Sequence, residues 1–111
     1  MSDEVRPRIV IYYADRNGHE PFLEWFKDLT IPFQDRVLRR LQRVQLGNFG
    51  DRKRITSNIQ ELRLHFGKGY RIYFAEDGRN IVVLLCGGNK GTQSKDIKKA
   101  KVYWQDYLNQ K

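Results

Sequence analysis

Residues that bind metals or form disulfides are scarce in this chain. Its 111 residues include one cysteine, Cys86, and two histidines, His19 and His65. A single cysteine cannot form an internal disulfide, and these few side chains do not have the spacing of a zinc site. We therefore expect no structural metal and no cofactor.

Long apolar runs and targeting signals are also missing. No apolar segment approaches the ~20 residues that a membrane-spanning helix needs. The first residues, Met1-Ser2-Asp3-Glu4, lack the features of a secretory signal. The sequence thus predicts a cytoplasmic protein that does not enter a membrane.

Positive charge is the main compositional feature that is present. The net charge is +8, and residues 51–111 carry 13 Lys and Arg against 6 Asp and Glu, whereas residues 1–50 carry 8 against 7. Such an excess indicates a polyanionic partner (RNA, DNA or an acidic protein segment), because cations placed against phosphates release counterions. A basic surface that only confers solubility explains the charge equally well. With 40% hydrophobic residues, we expect a single folded domain, residues 1–111.

The first half of the chain predicts a strand followed by two helices. Residues 8–13 are β-branched and aromatic, which favours a strand. Apolar residues then recur at helical spacing from Pro21 and, after a break at residues 30–32, again from Phe33 to Leu46 and Gly47, where a helix is expected to end. The second helix has an apolar stripe of Phe33, Val37, Leu38, Leu41 and Val44 and an opposite face of Arg36, Arg39, Arg40 and Arg43. We expect this arginine face to be solvated, or to meet RNA or a partner.

The segment from Ile59 to Ala75 predicts a β-hairpin. Its apolar residues alternate with polar ones, which is typical of a half-buried strand, and residues 67–69 supply a glycine-rich turn. If Phe66 pairs with Tyr70, the cross-strand neighbours share one face of the sheet. In that register His65 lies opposite Arg71, and Arg63 lies opposite Tyr73.

The rest of the chain predicts a third strand and a last helix. Residues 81–85 are continuously apolar, as expected of an interior strand that is covered on both faces. Ser94 is the expected N-cap of the helix, which places Ile97, Ala100, Trp104, Tyr107 and Leu108 inward. The sequence therefore predicts an α+β fold made of an N-terminal strand, a two-helix hairpin, a three-stranded antiparallel meander and a C-terminal helix.

The shared face of the predicted hairpin carries the candidate chemistry. Arg63 and Arg71, with Lys90 from the neighbouring glycine-rich loop, have the charge to hold a phosphate and to stabilise the charge that develops when it is attacked. His65 and Tyr73 are able to move protons. Each of these side chains also has a structural explanation as a solvated or packed surface group. The arginine pair favours the functional interpretation, because two adjacent cations repel each other unless an anion lies between them.

Three motifs carry a resemblance to a known family. They read ELRLHFGKGYRIYF at 61–74, LLCGGNKGTQ at 84–93 and DIKKA at 96–100. With the order of elements, they resemble the RelE/ParE toxin superfamily, in particular the phage-derived, HigB-like branch labelled "addiction module killer protein". The resemblance covers nearly the whole chain.

The resemblance implies the toxin of a type II toxin–antitoxin system. Such a toxin is a ribosome-dependent mRNA endonuclease that needs no metal. Its partner is a helix-turn-helix antitoxin from the neighbouring gene. The toxin contacts DNA only as part of the complex with this antitoxin. By resemblance, Arg71 matches the arginine that is placed against the scissile phosphate, and Lys90 falls near a second basic site residue. The catalytic set is therefore Arg63, His65, Arg71, Tyr73 and Lys90, and the RNA-binding set is Lys53, Arg54, Lys68, Lys95 and Lys98.

One departure from the family pattern leaves alternatives open. RelE-type toxins carry a catalytic tyrosine early in the last helix, where this chain has Ile97. Superfamily members of the ParE type inhibit DNA gyrase instead of cutting RNA, and a basic binding module of the same fold would not be catalytic at all.

Overall fold

The computed structural model describes residues 5–111, and within this range it is an α+β structure with a five-stranded sheet and three α-helices. The segment Met1 to Glu4, on which the expectation of no secretory signal rests, lies outside the described residues. In chain order the elements are β1 (Ile9–Tyr12), α1 (Pro21–Lys27), α2 (Ile31–Gln45), β2 (Arg52–Arg54), β3 (Ile59–Arg63), β4 (Arg71–Asp77), β5 (Ile81–Gly88), a 3-10 turn (Lys90–Thr92) and α3 (Gln93–Gln110).

The sheet is mixed, with the strand order β1-β5-β4-β3-β2. β1 runs parallel to β5, and the other neighbouring pairs are antiparallel. The predicted first strand and the three-stranded meander are confirmed, and the apolar strand β5 is an interior strand. β2 was not predicted, because Arg52, Lys53 and Arg54 are all exposed at the sheet edge and leave no apolar pattern.

Helices cover both faces of the sheet. On one face, α1 and α2 pack Phe22, Val37, Leu41 and Val44 onto Leu62, Phe74 and Leu84. On the other face, α3 packs Ala100 and Trp104 onto Tyr73, Val83 and Leu85. This two-sided burial explains why β5 has no polar alternation. None of the helices in the range 5–111 is long and apolar enough to cross a membrane.

The face of α2 that was predicted to be solvated contains a buried arginine. Arg40 is only 9% exposed. Its guanidinium donates hydrogen bonds to the carbonyl oxygens of Phe49 (2.9 Å), Asp51 (2.7 Å) and Arg63 (2.8 Å). The expectation that Arg40 faces solvent is therefore wrong, because the chain around residues 49–51 folds over it. Leu38, assigned to the buried stripe, is instead 45% exposed.

The predicted register of the β3–β4 hairpin is wrong by two residues. Arg63 pairs with Arg71 and Glu61 pairs with Tyr73. The amide of Leu64 donates to the carbonyl of Tyr70 at 2.9 Å, so five residues form the turn where three were expected. Gly67 and Gly69 both adopt positive φ (58° and 74°), which permits this wider turn.

The start of α3 also differs from the expectation. The N-cap is Thr92 and not Ser94. The side chain of Asn89 accepts a hydrogen bond from the amide of Gly91 at 2.7 Å and begins the 3-10 turn that leads into the helix. This earlier start brings Gln93 into the first turn of α3, where its side chain reaches the sheet.

Candidate active site

A concavity of about 470 Å³ opens where β3 and β4 meet the turn between them. Four of the five predicted catalytic residues line it, namely Arg63, His65, Arg71 and Lys90. The remaining wall is formed by Leu64, Phe66, Gly67 and Gly69. The structure thus gathers cations from two strands and from the 3-10 turn around one open space.

Strand pairing places the two arginines side by side. Arg63 lies directly opposite Arg71, and opposite residues of an antiparallel pair share a face of the sheet. Their side chains are 34% and 13% exposed. On the far side, Arg71 pairs with Gly88, where a Cβ atom would lie 1.7 Å from the Asp96 carboxylate. Gly88 therefore leaves room for α3 to approach the sheet beside Arg71.

A buried carboxylate, Glu61, holds the arginine pair. Glu61 is fully buried. Its Oε1 accepts hydrogen bonds from Nε of Arg63 at 3.2 Å and from Nη1 of Arg71 at 3.3 Å. Its Oε2 accepts one from Nε2 of Gln93 at 2.7 Å. The anion between the two cations is thus part of the protein, and the remaining guanidinium N–H groups can point toward a ligand.

Sequence reasoning missed both Glu61 and Gln93. Glu61 was assigned to the polar face of an expected half-buried strand, yet α3 covers that face and buries it. The sequence did contain a signal for Glu61, because this acidic residue stands two positions before Arg63. Residues at i and i+2 of a strand lie side by side on one face, where opposite charges can pair. Gln93 gave no signal of its own, because its contact spans 32 residues.

Tyr73 does not reach the concavity. Its side chain is fully buried under α3, and its hydroxyl makes no hydrogen bond within residues 5–111. Burial and the neighbouring Glu61 carboxylate raise the pKa of Tyr73 above its usual range. The structure therefore does not place Tyr73 where it could exchange a proton with a substrate, unlike the expectation from the wrong register.

His65 lies on the exposed rim of the concavity. Its side chain is 74% exposed, and Nε2 lies 2.6 Å from Oδ2 of Asp51. The hydrogen bond with His65 holds the pKa of the Asp51 carboxyl below its usual range. Asp51 thus orients an imidazole that lies in the open concavity, where it can come within hydrogen-bond reach of a substrate.

Lys68 and Lys90 lie at the end of the concavity that the hairpin turn forms. Lys90 is exposed, and its amide donates to the carbonyl of Lys68 at 3.4 Å, which ties the 3-10 turn to the hairpin turn. Lys53 pairs with Glu61 from the edge strand β2 and so shares its face of the sheet. All five predicted RNA-binding residues are exposed: Lys53, Arg54, Lys68, Lys95 and Lys98. Among the described residues, no group of three or more His, Cys, Asp and Glu is arranged to hold a metal ion.

Comparison with known proteins gives a family match that spans this site. The sequence profile of the family described as "Phage derived protein Gp49-like (DUF891)" matches residues 24–105. An uncharacterized protein of Haemophilus influenzae is 43% identical over 86 residues, which cover 77% of this chain and 87% of that protein. The profile match extends from α1 into α3 and therefore spans Glu61, Arg63, Arg71, Lys90 and Gln93.

Proposed function

The chain belongs to the phage-derived Gp49-like family, and we propose that it is the toxin of a type II toxin–antitoxin pair. The proposed activity is that of a RelE/HigB-like endoribonuclease, which cuts messenger RNA on the ribosome. The observation that carries the proposal is the concavity that gathers Arg63, His65, Arg71 and Lys90. The partners that follow are the ribosome with its message, and a helix-turn-helix antitoxin that neutralises the toxin in the cytoplasm.

The arginines suit the attack of a ribose 2′-hydroxyl on the adjacent phosphate. In this reaction the 2′-oxygen bonds to phosphorus and the bond to the 5′-oxygen breaks, which leaves a cyclic 2′,3′-phosphate and a 5′-hydroxyl. Negative charge builds on the phosphoryl oxygens, and Arg63, Arg71 and Lys90 stand around the space where they would lie. Because Glu61 already fixes both guanidinium groups, they need little reorganisation when the charge develops.

His65 is the described residue of this site that is best placed to move a proton. It is exposed, it lines the same concavity, and Asp51 orients its ring. Glu61 is a poor candidate for the base, since it is fully buried and its two oxygens already accept three hydrogen bonds. The second proton transfer falls to the ribosome or to solvent, which agrees with a toxin that cuts only RNA held on the ribosome.

The test is primer extension on cellular messages after brief induction of the chain. We compare the wild type with Arg71→Lys, which keeps the charge and loses the planar fork, and with Lys101→Ala, an exposed control on α3. New 5′ ends within translated frames are expected for the wild type and the control, and strong loss of cleavage for Arg71→Lys. A thermal melt of each purified variant separates lost chemistry from lost folding.

Three outcomes count against the proposal or its mechanism. Growth arrest with intact messages and induced DNA-damage signalling points to a gyrase inhibitor of the ParE type. Growth arrest without new 5′ ends or DNA damage, with salt-dependent RNA binding by the purified protein, points to a non-catalytic basic module. Cleavage that requires added divalent metal, with intact ribosomes in both arms, overturns the metal-free mechanism.

A further inference from the structure

The groove between α2 and residues 64–66 differs in character from the candidate active site. It encloses about 720 Å³, and its lining includes Arg36, Arg39, Arg43, Leu46, Leu64 and Phe66. We propose that this groove binds an acidic amphipathic helix of a partner protein, with carboxylates on the arginines and apolar side chains on the floor.

The arginines of the groove form one regular row. Arg36, Arg39 and Arg43 are exposed at positions i, i+3 and i+7 of α2, so they form a row about 10 Å long on one face of the helix. Arg39 makes an exposed ion pair with Asp35 at 3.0 Å, a contact that contributes little and is easily exchanged for another carboxylate. A partner helix with acidic residues at the same spacing matches this row in charge and in length.

The apolar part of the groove favours protein over RNA. Leu46 is 68% exposed at the end of α2, and Leu64 forms the floor beside it. The face of the Phe66 ring is covered by the Arg36 guanidinium at 5.0 Å, and the ring also packs on Phe33 at 5.1 Å. Bases need an open aromatic face for stacking, which this ring does not offer, whereas leucines of an amphipathic helix fit an aliphatic floor.

The groove adjoins the candidate active site directly. Leu64, His65 and Phe66 line both spaces. A helix that fills the groove therefore contacts His65 and closes one side of the catalytic concavity. A helix bound in the groove would thus inhibit the proposed RNA cleavage. This regulatory consequence rests on the proposed function, whereas the docking itself does not.

The test uses the purified full chain and two probes of equal length and similar charge. One probe is a synthetic helix of glutamates and leucines of about 14 residues, or four turns, and the other is a single-stranded RNA. Amide NMR titrations locate each probe on the protein. We expect the peptide to shift the signals of residues 36–46 and 64–66, and the RNA to shift those of the lysine rim at Lys68 and Lys90.

Matched variants separate docking from general charge attraction. The variant Arg36→Glu/Arg39→Glu/Arg43→Glu is compared with Lys27→Glu/Lys99→Glu/Lys101→Glu, which changes the charge equally on exposed residues outside the groove. We expect the first to weaken peptide binding by at least about tenfold and the second by about twofold or less. Leu46→Ser, on an exposed residue, is expected to weaken it by several-fold without changing RNA binding.

The proposal is overturned if the peptide does not bind, if both triple variants weaken its binding equally, or if the RNA occupies the groove in its place. These measurements need neither ribosomes nor cleavage. A chain that never cuts RNA can therefore still pass this test, and a chain that cuts RNA can fail it.

Discussion

Arg63 and Arg71 face each other across β3 and β4, and the carboxylate between their guanidinium groups belongs to the protein itself. Two unpaired arginines at this position would need a bound anion to offset their repulsion. Here Glu61 supplies that anion from within the sheet. The two guanidinium groups are therefore held together by the folded chain itself. A ligand does not have to overcome their mutual repulsion when it binds.

The replacement Glu61→Gln is expected to lower the stability of the folded chain and to strengthen its binding of anions. It removes the internal negative charge and keeps the shape, so the free energy of unfolding should fall by roughly 2–4 kcal/mol. The two uncompensated arginines should then bind free phosphate more tightly, and phosphate should raise the Tm of the variant more than that of the wild type. Thermal melts with and without phosphate check this. An equal phosphate effect on both proteins means that Glu61 does not neutralise the pair.

Arg40 and Arg39, neighbours in sequence, should differ sharply in their contribution to stability. Arg40→Met leaves the carbonyls of Phe49, Asp51 and Arg63 without their donor, and we expect a loss of about 3 kcal/mol or more. Arg39→Met removes only an exposed pair and should cost less than about 0.5 kcal/mol. Urea unfolding of both variants measures the difference. Similar losses would show that the three carbonyl contacts contribute little.

The Asp51–His65 contact should be visible in a pH titration. The hydrogen bond from His65 depresses the pKa of Asp51, so the contact stabilises the folded chain at pH values above the ordinary carboxyl pKa. This stability is lost as the pH falls through the depressed pKa of the folded state. Carboxyl NMR titration should give a pKa for Asp51 that lies below its usual range and returns upward in His65→Ala. If Asp51 titrates identically in both proteins, the contact is not formed in solution.

Cys86 should be unreactive in the folded protein. Its thiol is 5% exposed on β5, and burial raises its pKa to about 12. At neutral pH the thiolate, which is the reactive form, is therefore nearly absent. A disulfide reagent such as DTNB should label it only as fast as the chain unfolds, and urea should accelerate the labelling. Rapid labelling of the folded chain at pH 8 would contradict this placement.

The sequence predicts the elements whose signals are local. Pro21 stands in the first turn of a helix, and the alternation after Ile59 leads into a strand, because one segment's own pattern is enough for both inferences. Pro32, which was expected to separate the two helices, instead lies in the first turn of α2. β2 could not be predicted in this way. Its three residues are exposed and charged, and they form a strand because β3 offers an edge to pair with.

The candidate site is only partly predictable for the same reason. The side chains of Arg63, Arg71 and Lys90 predict a phosphate site, which stays a prediction, and the structure gathers the three around one concavity. Their exact neighbours depend on the width of the turn between β3 and β4, which glycines with positive φ decide, and on how α3 packs over the sheet. A shift of two residues therefore places Arg71, instead of Tyr73, opposite Arg63 and sets Tyr73 opposite Glu61. No local pattern distinguishes the two registers.

The parallel pairing of β1 with β5 sets the order in which the sheet and the candidate site can form. It joins residues 9–12 to residues 81–84, so a segment of roughly 70 residues must be made before the first strand finds its partner, and closing so long a loop is a late event. Lys90 and Gln93 leave the ribosome later still. A nascent chain thus carries an unfinished sheet and an incomplete candidate site until residues 81–93 have been made.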